Sequence, residues 1–237
     1  MTRDDVSSGA WSLWGGPEPA AALATLGFDW IGLDAQHGRY DDGRVVAAVA
    51  AIGAVDAALP VWVRVRSNDD GLIGRALDAG AAGVIVPMVD SPQQAESAVA
   101  ATRYAPDGRR SLGPSLQGPA HRPSAADASC AVMIETAAGL AACDGIAATP
   151  GLAMVFVGPW DLALALGLGL DELLALRGDD SPLVRIARAC AENGITAGAF
   201  AGTPERGAAL RELGYTAVAV ATEDSLFAAG ATSVLGG

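Results

Sequence analysis

The chain has 237 residues, 51% of them hydrophobic and 18% charged, so it can fill a sizeable core and is too apolar to be disordered. Its 27 acidic and 15 basic residues leave a net charge of −12, which argues against nucleic acid as a partner, and no apolar run reaches the roughly 18–20 uncharged residues of a membrane span. Every basic residue is Arg, and the absence of Lys excludes Schiff-base chemistry, a pyridoxal phosphate anchor and a P-loop.

In chain order, a weak apolar run at 10–14 (AWSLW) precedes seven clearer ones. These lie at 28–34 (FDWIGLD), 61–65 (VWVRV), 82–88 (AGVIVPM), 130–136 (CAVMIET), 152–158 (LAMVFVG), 195–200 (ITAGAF) and 215–220 (YTAVAV). They are apolar on both faces and mostly closed by Gly, Pro or a polar residue, the pattern of buried parallel strands. The segments between them carry helix signals. Ser91-Pro92, Ser181-Pro182 and Thr203-Pro204 each set an N-cap before a Pro at the first helical position, and Gly214 is a stop. Eight strands alternating with helices predict an α/β fold, a (β/α)8 TIM barrel forming a single domain over 1–237. A doubly wound open sheet is the alternative, but no GxGxxG follows an early strand.

Pro106, Pro114, Pro119 and Pro123 mark the stretch at about 105–129 as a lid or interface loop. Cys130, Cys143 and Cys190 stand in no ligand spacing and read as buried thiols of a reducing compartment. The N-terminus lacks the basic and apolar regions of a signal peptide, so the expected location is cytoplasmic.

In such a barrel, reactive groups sit at the C-terminal ends of strands and in the loops that follow. That filter selects Asp34, Gln36 and His37 after the second strand, Arg64 at the end of the third, Glu135 at the end of the fifth, and Asp161 after the sixth. A charge closing an apolar strand is costly unless paired or bound to metal, so Glu135 is either half of an ion pair with an Arg or a metal ligand. Asp161 is either a helix N-cap or a second ligand. Two carboxylates on successive strands could supply the protein half of an open oxygen site for a hard divalent cation. His37 in DAQHG stands where a general base could, against a purely structural role. Arg64 reads as an ion pair in the barrel interior or as a fixed cation beside developing negative charge. His121, beside Arg122 in the Pro-rich stretch, reads as a solvated loop residue.

The chain resembles the HpcH/HpaI aldolase family, the metal-dependent class II pyruvate aldolases, through six ordered blocks: 27–38, 63–69, 77–89, 103–114, 133–136 and 156–167. The resemblance implies a carbon–carbon lyase that reversibly cleaves 4-hydroxy-2-oxoacids to pyruvate or hydroxypyruvate and an aldehyde. It makes His37 the base, Glu135 and Asp161 the ligands of Mg²⁺, Mn²⁺ or Co²⁺, and Arg64 the holder of the pyruvyl oxygen. Asp78 in LDAG matches an acid that raises the basicity of the histidine. Gly158, Pro159, Trp160 and Asp161 match the cradle of the pyruvate carboxylate, with Trp160 and Asp161 supplying backbone N–H groups, and Trp11 matches a pocket aromatic. Met133 stands where many members have a substrate-bonding Gln, and Gln36 where many have Glu. The missing Lys independently demands the metal route over an imine route. A CoA-ester lyase and an inactive 2-oxoacid-binding barrel are the alternatives. The expected partners are a small-molecule 2-oxoacid and an aldehyde, and the expected assembly is a homohexamer or a homotrimer.

Overall fold

A computed structural model describes residues 6–113 and 128–236. Eight parallel strands close into a barrel in sequence order: β1 (Ser7–Ser12), β2 (Trp30–Asp34), β3 (Val61–Arg64), β4 (Gly83–Val86), β5 (Ser129–Ile134), β6 (Met154–Val157), β7 (Thr196–Phe200) and β8 (Ala217–Thr222). The first four strands alternate with α1 (Pro17–Ala24), α2 (Asp42–Val55), α3 (Asp70–Asp78) and α4 (Pro92–Thr102). α5 (Ala137–Ala141) and α6 (Cys143–Ala147) follow β5, and α7 (Pro159–Ala165), α8 (Leu170–Ala175) and α9 (Pro182–Glu192) follow β6. α10 (Pro204–Glu212) and α11 (Glu223–Leu235) complete the chain. The expected barrel is the observed one. No helix among the described residues is long and apolar enough to cross a membrane.

The predicted helix starts are formed as read. Ser91, Ser181 and Thr203 accept from the backbone N–H of Gln94, Val184 and Arg206, each with Pro at the first helical position. Gly214, two residues past α10, takes φ +99°, which favours glycine. The three cysteines are buried and free, and burial pushes the thiols of Cys130 and Cys190 up to about 12.

Two apolar layers hold the barrel. One lies between strands and helices; the other fills the barrel with Trp11, Trp30, Trp62, Met133, Met154 and Phe156 among smaller neighbours. Large rings sit over residues without side chains: a Cβ on Gly32 would lie 2.5 Å from the Trp11 ring, and one on Gly83 equally close to that of Trp62. The rings therefore take the space that bulkier strand residues would otherwise fill.

The first strand differs from its expected span. It begins at Ser7, where it pairs with β8, and ends at Ser12, not Trp14. The cause is Glu223, the first residue of α11 and only 2% exposed. Its carboxylate accepts from the Ser12 hydroxyl and from the backbone N–H groups of Leu13 (2.9 Å) and Trp14 (3.4 Å), drawing Leu13 and Trp14 out of the sheet. Tyr40 donates to or accepts from Ser12 at 2.6 Å, and burial raises its phenol to about 12. This cluster locks β1 to the start of α11 at the seam where the barrel closes.

The Pro-rich stretch falls mainly on residues 114–127, outside the described residues together with His121, and so does its reading as a lid or interface. Its described beginning lies along α3 and α4. Arg109 pairs with Asp70 at 2.8 Å, and Arg110, its side chain buried, pairs with Asp78 at 2.8 Å and lies over the Tyr104 ring.

Replacing Glu223 with Ala strands the donors of Ser12, Leu13 and Trp14. Unfolding in urea should show a loss of about 2–3 kcal/mol with an unchanged denaturant slope. A loss under about 0.5 kcal/mol would mean that water satisfies those donors.

Candidate active site

A pocket of about 180 Å³ opens at the C-terminal mouth of the barrel, lined by Trp11, Leu13, Asp34, His37, Arg64, Met133, Gly158, Trp160, Asp161 and Phe200. A larger hollow of about 950 Å³ between α1 and α11 is lined mostly by apolar residues such as Leu26, Leu226, Phe227 and Val234 and holds no chemistry of this kind.

The deepest polar group is Asp34, the last residue of β2 and fully buried. The sheet register sets it beside Arg64, the last residue of β3. The Arg64 Nε donates to one carboxylate oxygen at 2.9 Å and Nη2 to the other. Asp34 also accepts from the Trp11 indole at 3.3 Å and from the backbone N–H groups of Gln36 (3.0 Å) and His37 (3.1 Å). Burial alone would raise its pKa. The Arg64 hydrogen bond and charge, helped by His37 N–H and the Trp11 indole, outweigh burial and hold it below the usual carboxylate range. The Arg64 guanidinium lies 5.3 Å from the Trp11 ring centroid and lines the pocket, so the ion-pair reading of Arg64 is observed and the same side chain also faces the cavity. Asp34 had no assigned role in the sequence reading. Its signal in the sequence is a carboxylate closing an apolar strand; the Arg directly opposite it is set by the register.

Glu135, just past β5, is 3% exposed, and among the described residues no Arg forms an ion pair with it. Its Oε1 accepts from the Met88 N–H at 2.8 Å. Met88 adopts φ +57°, a left-handed conformation uncommon for a side chain of its size, and this turns that N–H toward Glu135. Burial raises the Glu135 pKa; the Met88 bond opposes this, and the Asp161 charge adds to it. A Cβ on Gly158 would stand 2.7 Å from Glu135 Oε2, so the carboxylate occupies space that only glycine leaves at the entrance to α7.

Asp161 is not an N-cap. Gly158 caps α7, and Asp161 sits in its first turn, lining the pocket. Because Pro159 has no N–H, Trp160 and Asp161 present the first donors of this helix. Asp161 borders the pocket and the Glu135 carboxylate lies buried against the lining residue Gly158, close enough to feel the Asp161 charge; two hard carboxylates so placed fit a divalent cation whose other positions go to water and substrate. Among the described residues, no group of three or more His, Cys, Asp or Glu converges as an all-protein metal cage.

His37 follows β2, is exposed and lines the pocket. Met133 lines it from β5 as a buried thioether. Pro159 belongs to α7 rather than to the lining. The expected contact of Asp78 with His37 is not made within this chain. α3 runs back from the catalytic mouth, so its last residue ends at the opposite rim, where Arg110 takes its carboxylate. Leu13, Met88 and Phe200 were not singled out from the sequence; apolar or backbone roles leave no polar signal.

The chain is similar over 94% of its length to the hydroxypyruvate/pyruvate aldolase of Paraburkholderia phytofirmans, with 34% identity and 89% of that relative covered. It is also 34% identical to the 2-dehydro-3,6-dideoxy-6-sulfogluconate aldolase of Pseudomonas putida, over 99% of this chain and 93% of that one. Among solved structures, an HpcH/HpaI aldolase/citrate lyase family protein from Burkholderia cenocepacia superposes with a TM-score of 0.88 and 32% identity, covering 98% of this chain and 95% of that one. The HpcH/HpaI aldolase/citrate lyase family model matches residues 8–229, a span that contains every strand but the first residue of β1 and every residue of the pocket, and the chain belongs to that family.

Proposed function

We propose that the protein is a class II pyruvate aldolase, a divalent-metal-dependent lyase that joins pyruvate or hydroxypyruvate to an aldehyde and reverses that reaction. The observation that carries this reading is a pocket lined by His37, the Asp34-anchored Arg64 and Asp161, with the Glu135 carboxylate buried against the Gly158 wall and within range of the Asp161 charge. The names of the aldolase relatives support the pyruvate or hydroxypyruvate donor.

Glu135 and Asp161 would hold the ion, with Mg²⁺, Mn²⁺ or Co²⁺ as suitable hard or borderline cations. When bound, a divalent cation supplies Lewis acidity that loosens the protons beside the keto group. The backbone N–H groups of Trp160 and Asp161, at the positive start of α7, receive the substrate carboxylate. Arg64 holds the keto oxygen as it gains charge, and Asp34 keeps the guanidinium from turning away. His37 takes the C3 proton. The C3 carbanion then attacks the aldehyde carbon, and the proton passes from His37 to the new hydroxyl oxygen. In cleavage, His37 removes the proton of the 4-hydroxyl, the C3–C4 bond breaks, and C3 regains a proton. Met133 offers no amide, so the donor is held through Arg64 and the helix-start N–H groups rather than from β5.

We further infer a homo-oligomer, a hexamer or a trimer, in the cytoplasm. Supporting assembly, α11 buries little beyond Glu223 and leaves Phe227, Val234 and Leu235 at 67%, 84% and 83% exposure beside the hollow against α1. Three buried free thiols suit a reducing compartment.

Chelation of divalent metal should abolish turnover, and Glu135→Gln and Asp161→Asn should each do the same, while borohydride should have no effect. Full activity after exhaustive chelation would exclude the metal route. His37→Ala should lower kcat by about 10²-fold or more with pyruvate binding retained. If pyruvate C3 deuterium exchange in that variant runs at the parent rate, His37 is not the base. Light scattering at micromolar concentration should give a mass several times 23.7 kDa; a monomer alone would refute the assembly.

A further inference from the structure

Apart from the indoles, the hydrogen-bonding side chains among the described lining residues are Asp34, His37, Arg64 and Asp161, all of which the aldolase reading gives to the donor. Asp34 is saturated by Arg64, Trp11 and backbone N–H groups, and His37, Arg64 and Asp161 serve the pyruvyl half. The remaining wall, from β1, α7 and β7, is different. Trp11 lies 5.6 Å from Phe200, and Phe200 lies 5.1 Å from Trp160, so rings continue from the barrel interior to the mouth. The interior end is fixed by Trp11 stacking on Phe156 at 5.4 Å and 17°.

The outer end is held as well. A Cβ on Gly202 would lie 3.5 Å from both Phe200 and Trp160, so the loop after β7 passes against the two rings, and the Arg206 guanidinium rests 5.3 Å from the Trp160 ring centroid. Trp160 nevertheless lines the pocket and keeps 39% relative exposure overall. Leu13 completes this wall among the described residues, and it offers no hydroxyl, amide or carboxylate. A polyhydroxylated acceptor entering here would give up hydrogen bonds to water without replacement. A flat, apolar acceptor would instead bury its surface and pair with the rings.

We propose that the acceptor is an aldehyde carrying an aromatic or similarly flat apolar substituent, seated against Phe200 and Trp160, so that the natural 4-hydroxy-2-oxoacid is substituted at C4 by such a group. This rests on the aldolase reading. The reaction needs no further reactant: the C3–H bond of pyruvate breaks, the C3–C4 bond forms, and the proton ends on the oxygen of the former aldehyde.

The test uses the metal-loaded enzyme with pyruvate and, separately, benzaldehyde, glycolaldehyde and succinic semialdehyde, with KM for each aldehyde read from product formation. Pyruvate C3 deuterium exchange without aldehyde is measured alongside. The expected result is a benzaldehyde KM at least about tenfold below those of the other two, and about a tenfold rise in the benzaldehyde-to-glycolaldehyde KM ratio in Phe200→Ala. Phe200→Leu keeps the strand end apolar while removing the ring; if Phe200→Ala fails to fold, the same rise is required of it. Equal KM values, or an unchanged ratio in the folded variant, overturn the proposal. So does a lowest KM for succinic semialdehyde, which would make Arg206 the recognition element for an acidic acceptor. Absence of C3 exchange in the parent enzyme overturns the aldolase reading itself and this proposal with it; normal exchange with no ring preference overturns this proposal alone.

Discussion

The buried pair of Asp34 and Arg64 is the interaction on which the site depends. A carboxylate with no exposed surface is costly to bury, and breaking such a pair by removing one partner typically costs about 3–5 kcal/mol. Here the cost is offset by saturation: guanidinium, indole and two backbone N–H groups all point at one carboxylate. Those partners come from β1, from β3 and from the turn carrying His37. A single side chain therefore helps set the positions of the turn carrying His37, the Arg64 guanidinium and the Trp11 ring.

Room for this arrangement comes from residues that have little side chain. Gly32 makes space for the Trp11 ring that donates to Asp34, and Gly158 makes space for the Glu135 carboxylate at the start of α7. Neither glycine carries chemistry, yet a methyl group at either would displace a group that does. The strained Met88 backbone serves the same end, spending conformational preference to aim an N–H at Glu135.

The two buried carboxylates near the mouth differ in their electrostatics. Glu135 has its pKa raised by burial and by the neighbouring Asp161, whereas Asp34 is held low by its pairing with Arg64. That contrast separates the two buried carboxylates more clearly than their positions at strand ends, which are alike. The acceptor wall then lacks charge altogether, apart from the Arg206 group lying on its outer ring.

The barrel was legible in the sequence because its signals are local. Apolar runs buried on both faces, Ser or Thr before Pro, and Gly at a helix stop report on a few neighbouring residues, and the absence of Lys excludes the imine route without any structure. The ordered motifs likewise identified His37, Arg64, Glu135 and Asp161 as candidates. What only the tertiary structure decided is which group each of these meets. Asp34 ends beside Arg64 through the register of β2 on β3; Asp78 ends beside Arg110 because α3 runs back to the far rim; Glu135 ends beside a backbone N–H that carries no residue identity. Even the end of β1 was set by Glu223, more than two hundred residues away, through closure of the barrel. Pairing across strands depends on register and closure, which sum the whole chain, and no local window of sequence contains them.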